Sequence, residues 1–306
     1  MKLFKPKFWD KNNIIVFILW PLTLITRLII LIKNYKTSHK TNIKSICVGN
    51  IYLGGTGKTQ LVIKLNEILK KKYKIFIIKK YYKNQIDEQK LLSKKANLIL
   101  PKNRIFSLNK IKNSKKNLAI FDDGLQDKSL SYNLSIVCFS SITGVGNGKL
   151  LPAGPLRESL SKLSDYSAVF INGKKNKYLE NKIKKYNKNI KIFSGEYFLK
   201  NKNDFDLKSK YLVFCGIGTP ESFFKLLKEN KIKIEKKIVY PDHYNYKFSD
   251  IDKIKKIAKE NKLKILTTEK DFTKINKFNN FNVKFTNIDL YINNYKSFKR
   301  FIINSL

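Results

Sequence analysis

Between a short β-rich apolar run at residues 46–48 and a helix-spaced run at residues 61–69 stands Gly54-Gly55-Thr56-Gly57-Lys58-Thr59. No other stretch restricts the folding options of this chain as strongly. Strand, glycine loop and helix in that order are what a phosphate-binding loop requires. Glycines let the backbone turn its N–H groups onto phosphate oxygens, and the following helix N-terminus adds partial positive charge. In that setting Lys58 is expected to reach the β- and γ-phosphates of ATP, and the Thr59 hydroxyl to bind Mg2+. One detail departs from the strict G-x-x-x-x-G-K-[ST] pattern: Tyr52 stands where the first glycine belongs, flanked by Gly49 and Gly54.

Apolar β-rich runs recur around this loop with helical stretches between them. Strands are expected at 74–78, 97–100, 118–121, 134–139, 166–171 and 191–194. Such alternation predicts an α/β fold with a doubly wound, mostly parallel P-loop sheet. A second series, at 211–215, 220–227, 234–240, 249–260 and 263–267, predicts a smaller α/β domain. The polar stretch 200–209 suggests a boundary. The expected division is 1–40 for an N-terminal helix and connector, 41–203 for the nucleotide-binding domain and 204–306 for the smaller domain.

The strand-like run at 117–121 ends in Asp122-Asp123-Gly124. Carboxylates at the carboxyl end of a strand suit the metal-holding position of a nucleotide-binding sheet; which of the two touches the ion is not legible. Residues 144–158 hold four glycines and two prolines and read as a shaped loop. Arg157 and Glu158 close it, and an arginine there can fork onto a phosphate.

Residues 14–32, IIVFILWPLTLITRLIILI, carry one charge, Arg27, and one proline, Pro21. As one helix they would extend roughly 28 Å, close to a bilayer core. Lys2, Lys5, Lys7 and Lys11 precede them and Lys33 and Lys36 follow, so the segment is expected either to span with a kink at Pro21 or to lie in the interface. Arg27 near its middle favours the shallow placement. No small-residue cleavage site follows, so the segment is expected to stay with the protein.

The net charge is +40, from 63 Lys and Arg against 23 Asp and Glu. Lysine is spread from end to end, which reads as a compositional bias supplying a basic surface, and no nucleic-acid module accompanies it. Cys47, Cys138 and Cys215 lie far apart in apolar runs and read as buried thiols of a reducing compartment. Only His39 and His243 are available for histidine chemistry; His39 sits in a lysine-rich connector and reads as solvated.

Taken in order, these segments resemble the lipid A 4'-kinase (tetraacyldisaccharide 4'-kinase) family. The resemblance rests on VGNIYLGGTGKT at 48–59, DDGLQ at 122–126, GNGKLLPAGPLRE at 146–158 and Asn172-Gly173. It continues in GIGTPE at 216–221, Pro241-Asp242-His243 and Thr268-Glu269-Lys270-Asp271. It implies transfer of the ATP γ-phosphate to the 4'-hydroxyl of a tetraacylated glucosamine disaccharide 1-phosphate, giving lipid IVA. The implied setting is the cytoplasmic face of the bacterial inner membrane, with no nucleic-acid partner and no obligate protein partner. It also implies a catalytic Asp in an Asp-Glu pair, here Asp87-Glu88, assisted by His243, with Arg157 and Glu158 positioning the saccharide. On residues alone Asp87 looks like a surface acid. The departures are Gln60 for the usual Pro, Lys79-Lys80-Tyr81-Tyr82 for Ser-Arg-Gly-Tyr, a short loop before Asp87, and Asp127 where His is common. The rivals are a membrane-associated P-loop NTPase without a lipid acceptor and a nucleic-acid-binding protein using the positive charge.

Overall fold

Pro21 decides the first feature of the fold. In the computed structural model, which describes residues 5–34, 39–40, 42–83, 85–276, 278 and 282–306, the apolar stretch forms two helices, α1 (Ile14–Leu19) and α2 (Thr23–Asn34), where one was expected. Pro21 has no N–H to donate, and its ring crowds the carbonyl four residues back. The Phe17 carbonyl therefore accepts from the Trp20 N–H, at 3.2 Å, and α1 ends in a turn. Among the described residues no helix is long and apolar enough to cross a membrane. The pair keeps much of its apolar surface exposed, Phe17 at 72 % and Leu24 at 62 %. Lys2, Lys36 and the side chains of Lys33 and His39 lie outside the described residues.

Strands and helices then alternate: β1 (His39–Lys40), β2 (Lys44–Gly49), α3 (Lys58–Leu69), β3 (Lys74–Lys79), α4 (Ile86–Lys95), β4 (Leu98–Ile99), α5 (Arg104–Leu108), β5 (Asn117–Asp122), β6 (Leu130–Ser131), β7 (Leu134–Ser140), β8 (Ala168–Asn172), α6 (Lys177–Tyr186) and β9 (Lys191–Leu199). There follow β10 (Lys210–Cys215), α7 (Pro220–Glu229), β11 (Lys233–Val239), α8 (Phe248–Glu260), β12 (Lys264–Thr268), α9 (Glu269–Ile275), β13 (Lys284–Thr286), β14 (Ile288–Ile292) and α10 (Tyr295–Asn304).

One unit comprises residues 5–81, 95–196 and 290–306. Its sheet has the order β14-β9-β8-β7-β2-β5-β3-β4, and the pairs from β9 across to β4 are all parallel. The central strands are buried along their length, as parallel strands covered on both faces are, so their sequences read as unbroken apolar runs. Helix α3 lays Leu61, Leu65 and Leu69 against β2 and β5. Helix α10 brings Phe298 edge-on to Phe170 and Phe193. Residues 290–306 therefore pack with the nucleotide-loop unit and not, as expected, with the residues just before them.

The second unit contains residues 82–94 and 197–289. Its sheet, β11-β10-β12-β13, is parallel throughout. Tyr211, Val213, Phe223 and Leu227 fill one side of it, and Phe214, Tyr246, Ile251 and Ile254 the other. Helix α4, with Asp87 and Glu88 in its first turn, groups with this later part of the chain although the sequence places it between β3 and β4. Contacts thus divide the chain differently from a single boundary near 203.

Candidate active site

Two clusters carry the expected residues, and each is built within one unit. In the first, the glycine loop leaves β2 and enters α3. Gly57 is the N-cap of α3 with φ +81°, and no side chain caps the helix. A residue with a Cβ is strained in that left-handed region, so glycine is the natural choice. The leading amides of α3 are left without a side-chain acceptor, which is the condition for holding an anion. The loop is braced from below: Asn50 donates to Thr56 Oγ1 at 2.9 Å and to the Gly54 carbonyl at 3.1 Å, and Asn172 donates to the Thr56 carbonyl at 2.6 Å.

Asp122 ends β5, fully buried, and accepts from Thr59 Oγ1 at 3.2 Å and from Lys79 Nζ at 2.9 Å, both on Oδ2. Its Oδ1 is buried with no hydrogen-bond partner among the described residues. Asp123 follows with φ +60°, a conformation that turns its side chain out of the strand's line. Arg157 donates to Asp123 Oδ1 at 2.8 Å and to the Asn50 carbonyl at 2.6 Å, and also to Asn50 Oδ1. Lys58 Nζ stands 3.8 Å from Asp123 Oδ2. Burial pushes the Asp123 carboxyl up, but the charges of Lys58, Arg157 and Lys79 outweigh it and hold the group well below the usual carboxylate range. Arg104, buried at the start of α5, donates to the Asp123 carbonyl at 2.6 Å and to Asp127 at 3.1 Å.

Glu158 is 2 % exposed, and Gln126 and Tyr166 donate to its Oε2 at 2.9 and 2.7 Å. Its partners are therefore protein groups that brace the Asp122–Gln126 turn, with Gln126 also donating to the Asn50 carbonyl at 3.0 Å. The loop leading to Arg157 is held in turn by the N-terminal segment: Trp9 Nε1 donates to the Pro152 carbonyl and Thr26 Oγ1 to the Leu151 carbonyl. Gly154 is needed there, since an added Cβ would lie 2.4 Å from the Lys149 carbonyl oxygen.

The second cluster joins α4 to the loop at His243 and to α9. His243 Nδ1 lies 2.9 and 3.1 Å from the two oxygens of Asp87. An ionised carboxylate only accepts, so Nδ1–H donates and Nε2 carries the ring's lone pair in the neutral form. His243 has φ +57°, and its N–H donates to the Gly216 carbonyl at 3.2 Å. Lys270 Nζ donates to Glu88 at 3.0 Å and to Asp242 at 3.1 Å and lies 3.5 Å from His243 Nε2. Lys274 Nζ stands 3.3 Å from Asp87 Oδ2 and 2.9 Å from Asp271 Oδ1. Asp271 in turn accepts from the Gly216 N–H and from Thr268 Oγ1, at 2.9 and 2.7 Å. The Asp87 carboxyl would rise through burial; the His243 hydrogen bond and the charges of Lys270, His243 and Lys274 overcome this and hold it far below its ordinary value.

Of the residues the sequence singled out, Lys58, Thr59, Asp122 and Asp123 lie together at the glycine loop, and Asp87 lies against His243. Lys274 and Arg104 were not singled out in the sequence, and Lys79, Lys270 and Asn172 stood there only within motif stretches, with no role in these clusters. Lys79 ends an apolar strand, a signal that becomes readable only once β3 and β5 are known to be neighbours. The three cysteines are buried, and burial pushes the Cys47 thiol up to about 12, which leaves no reactive thiolate near the loop.

A family model described as LpxK, tetraacyldisaccharide-1-P 4'-kinase, matches residues 15–306. The chain is 45% identical over 302 residues to a tetraacyldisaccharide 4'-kinase of Pelagibacter ubique, covering 97% of this chain and 96% of that protein. It is 34% identical over 314 residues to a protein of the same name from Rickettsia akari, covering 96% and 95%. Among solved structures, the "apo" form of LpxK from Aquifex aeolicus in complex with ATP shares the fold. The TM-score is 0.70 at 24% sequence identity, over 95% of this chain and 99% of that one.

Proposed function

This chain belongs to the tetraacyldisaccharide-1-P 4'-kinase family, and from that premise we propose how its two clusters carry out phosphoryl transfer. The donor is ATP and the acceptor is the 4'-hydroxyl of a tetraacylated glucosamine disaccharide 1-phosphate. The observation that carries the donor half is the uncapped α3 N-terminus after a left-handed Gly57, with Lys58 and Thr59 in the first turn. Backbone amides there receive the phosphates, and Lys58 reaches the terminal ones.

The residues beside Thr59 suit a hard divalent cation. Asp122 offers a buried oxygen without a partner among the described residues, next to the Thr59 hydroxyl. Mg2+ typically takes one or two carboxylates and completes its shell with phosphate oxygens and water. No group of three or more His, Cys, Asp or Glu able to hold a metal occurs among the described residues, so an ion here would share its shell with nucleotide. Thr59, Asp122 and Asp123 would hold it. When bound, Mg2+ offsets charge on the phosphoryl oxygens. Arg157 keeps Asp123 turned toward the loop, and Glu158 supports Arg157's neighbours through Gln126, so both act on the saccharide's reaction through the nucleotide side.

Asp87 takes the proton of the acceptor hydroxyl, with His243 holding the carboxylate in place. A second reading is favoured by the 2 % exposure of Asp87 against 15 % for the His243 side chain: His243 Nε2 takes the proton and Asp87 fixes the tautomer, as in hydrolase triads. Rates decide between them. Asp87→Asn falls further than His243→Gln on the first reading, and the order reverses on the second.

The exposed apolar faces of α1 and α2 support attachment to the cytoplasmic side of the inner membrane, where ATP is available and the acyl chains of the acceptor reside. The decisive assay mixes purified protein, ATP, Mg2+ and a disaccharide 1-phosphate acceptor. Lys58→Ala, Asp123→Ala and Asp87→Ala should each lose about 100-fold or more in kcat/KM. Undiminished transfer in all three would sink the reading, and fast ATP hydrolysis with no acceptor effect would point to an NTPase.

A further inference from the structure

We propose that Lys79 is a resident cation of the nucleotide site, which lets nucleotide bind without a divalent ion and weakens the hold on that ion when it is present. The inference rests on the nucleotide reading above and concerns what this chain adds to it. Lys79 is the last residue of β3 and lies opposite Asp122 in the register of the sheet. It is 3 % exposed. Burying a lysine is costly unless a partner takes its charge, and here the partner is Asp122 Oδ2 at 2.9 Å, the same oxygen that accepts from Thr59. The rest of β3 after Lys74 is apolar, Ile75-Phe76-Ile77-Ile78, so the strand's packing does not call for a charge at its end. The carboxylate beside it does.

The consequence follows from charge. A triphosphate brings several negative charges up to Asp122 and Asp123. Lys58 and Arg157 face Asp123, and Lys79 pairs with Asp122 while its charge also reaches Asp123. With Lys79 in place, the nucleotide meets a neutralised carboxylate even when no metal is there. A cation within a few ångströms of the metal position also repels a second cation. Removing Lys79 should therefore move two affinities in opposite directions, which a general loosening of the fold cannot do.

The test measures binding of a non-hydrolysable ATP analogue by calorimetry to the full chain, wild type and Lys79→Met and Lys79→Arg, in EDTA and in saturating Mg2+. Mn2+ affinity of each analogue complex is read by electron paramagnetic resonance. In EDTA, Lys79→Met should bind the analogue about 10-fold more weakly than wild type, and in saturating Mg2+ within about 3-fold. Its complex should hold Mn2+ about 3-fold more tightly or better. Lys79→Arg, which keeps the charge, should follow wild type. Equal EDTA affinities in wild type and Lys79→Met overturn the proposal, and so does a loss of the same size in both buffers. Should Lys79→Met fail to fold, wild type alone still decides: a saturable complex in Mg2+ but none in EDTA at millimolar analogue refutes it. No saturable complex of wild type in either buffer removes this inference and the nucleotide reading together.

Discussion

Asp87 is surrounded by more positive charge than a base can comfortably use. A proton acceptor works best when its pKa lies near the working pH, yet His243, Lys270 and Lys274 hold this carboxyl far below its ordinary value against the upward push of burial. The sign for stability follows from the depressed folded value. The contribution of Asp87 is fully present above the unfolded pKa, about 3.9, and is lost as pH falls through the lower folded one. At neutral pH the carboxylate is therefore always charged, and the lysines hold it in place at some expense of basicity. Lys274→Met should raise the Asp87 pKa, and the carboxyl carbon resonance of Asp87 followed against pH should show its midpoint move up. The acid limb of kcat/KM should move the same way if Asp87 is the proton acceptor, and stay where it is if His243 is. A resonance midpoint unmoved by the substitution would show that Lys274 does not act on Asp87. Gly57 offers a simpler case at the same scale. With φ at +81°, Gly57→Ala should cost about 1–2 kcal/mol of stability and also weaken ATP binding, both readable from one thermal melt with and without nucleotide.

Among the elements, the apolar N-terminal pair was the least faithfully legible. Its composition was plain, but its break was not, because a proline can kink a helix and let it run on. Here Trp20, Pro21 and Leu22 make a turn, and α2 restarts at Thr23, whose hydroxyl donates back to the Trp20 carbonyl at 2.6 Å. Helix α4 was hidden for another reason. Asp87 and Glu88 lie in a lysine-rich stretch with little amphipathic signal, and only their tertiary partners on α9 and the loop at His243 give them meaning. By contrast β2, β5 and the glycine loop were readable at once, since parallel central strands are continuous apolar runs and a phosphate loop needs glycine at fixed places. The exposed apolar faces of α1 and α2 are expected to bind a membrane as an interfacial patch. A buried apolar side chain is worth about 1.5–3 kcal/mol over an exposed one, so Phe17→Glu or Leu24→Glu should each lower partitioning onto phosphatidylglycerol vesicles about 10-fold or more. Both side chains are solvent-facing, so ATP affinity should hold. Vesicle binding unchanged in the double variant would mean that these faces do not meet lipid.

For the molecule as a whole, charge and contacts teach different lessons. The excess of 63 basic over 23 acidic residues read as a compositional bias supplying a basic surface, and the structure uses its basic residues in two ways. Some, such as Lys225 and Lys253, stand exposed on helix surfaces, while Lys79, Arg104, Lys270 and Lys274 are drawn inside against particular carboxylates. Net charge alone could not separate these, because burial is a property of the fold. Nor could the order of residues show that 82–94 packs with 197–289 while 290–306 packs with the nucleotide-loop residues. Each unit has its own mostly or wholly parallel sheet and its own core, and each holds one of the two clusters complete. That arrangement makes two cooperative transitions the expected outcome of unfolding, since chains with separate cores depart from two-state behaviour. A ligand stabilises only the part that holds it, by about 2.7 kcal/mol at a hundred times its Kd. Scanning calorimetry with ATP and Mg2+ should accordingly raise one transition and leave the other nearly in place. Hydrogen exchange should assign the raised transition to peptides covering 46–69 and 117–126. A single transition shifted as a whole by nucleotide, with equal protection spread through 197–289, would show that the two units share one folding equilibrium and that the donor and acceptor clusters are energetically coupled before any acceptor arrives.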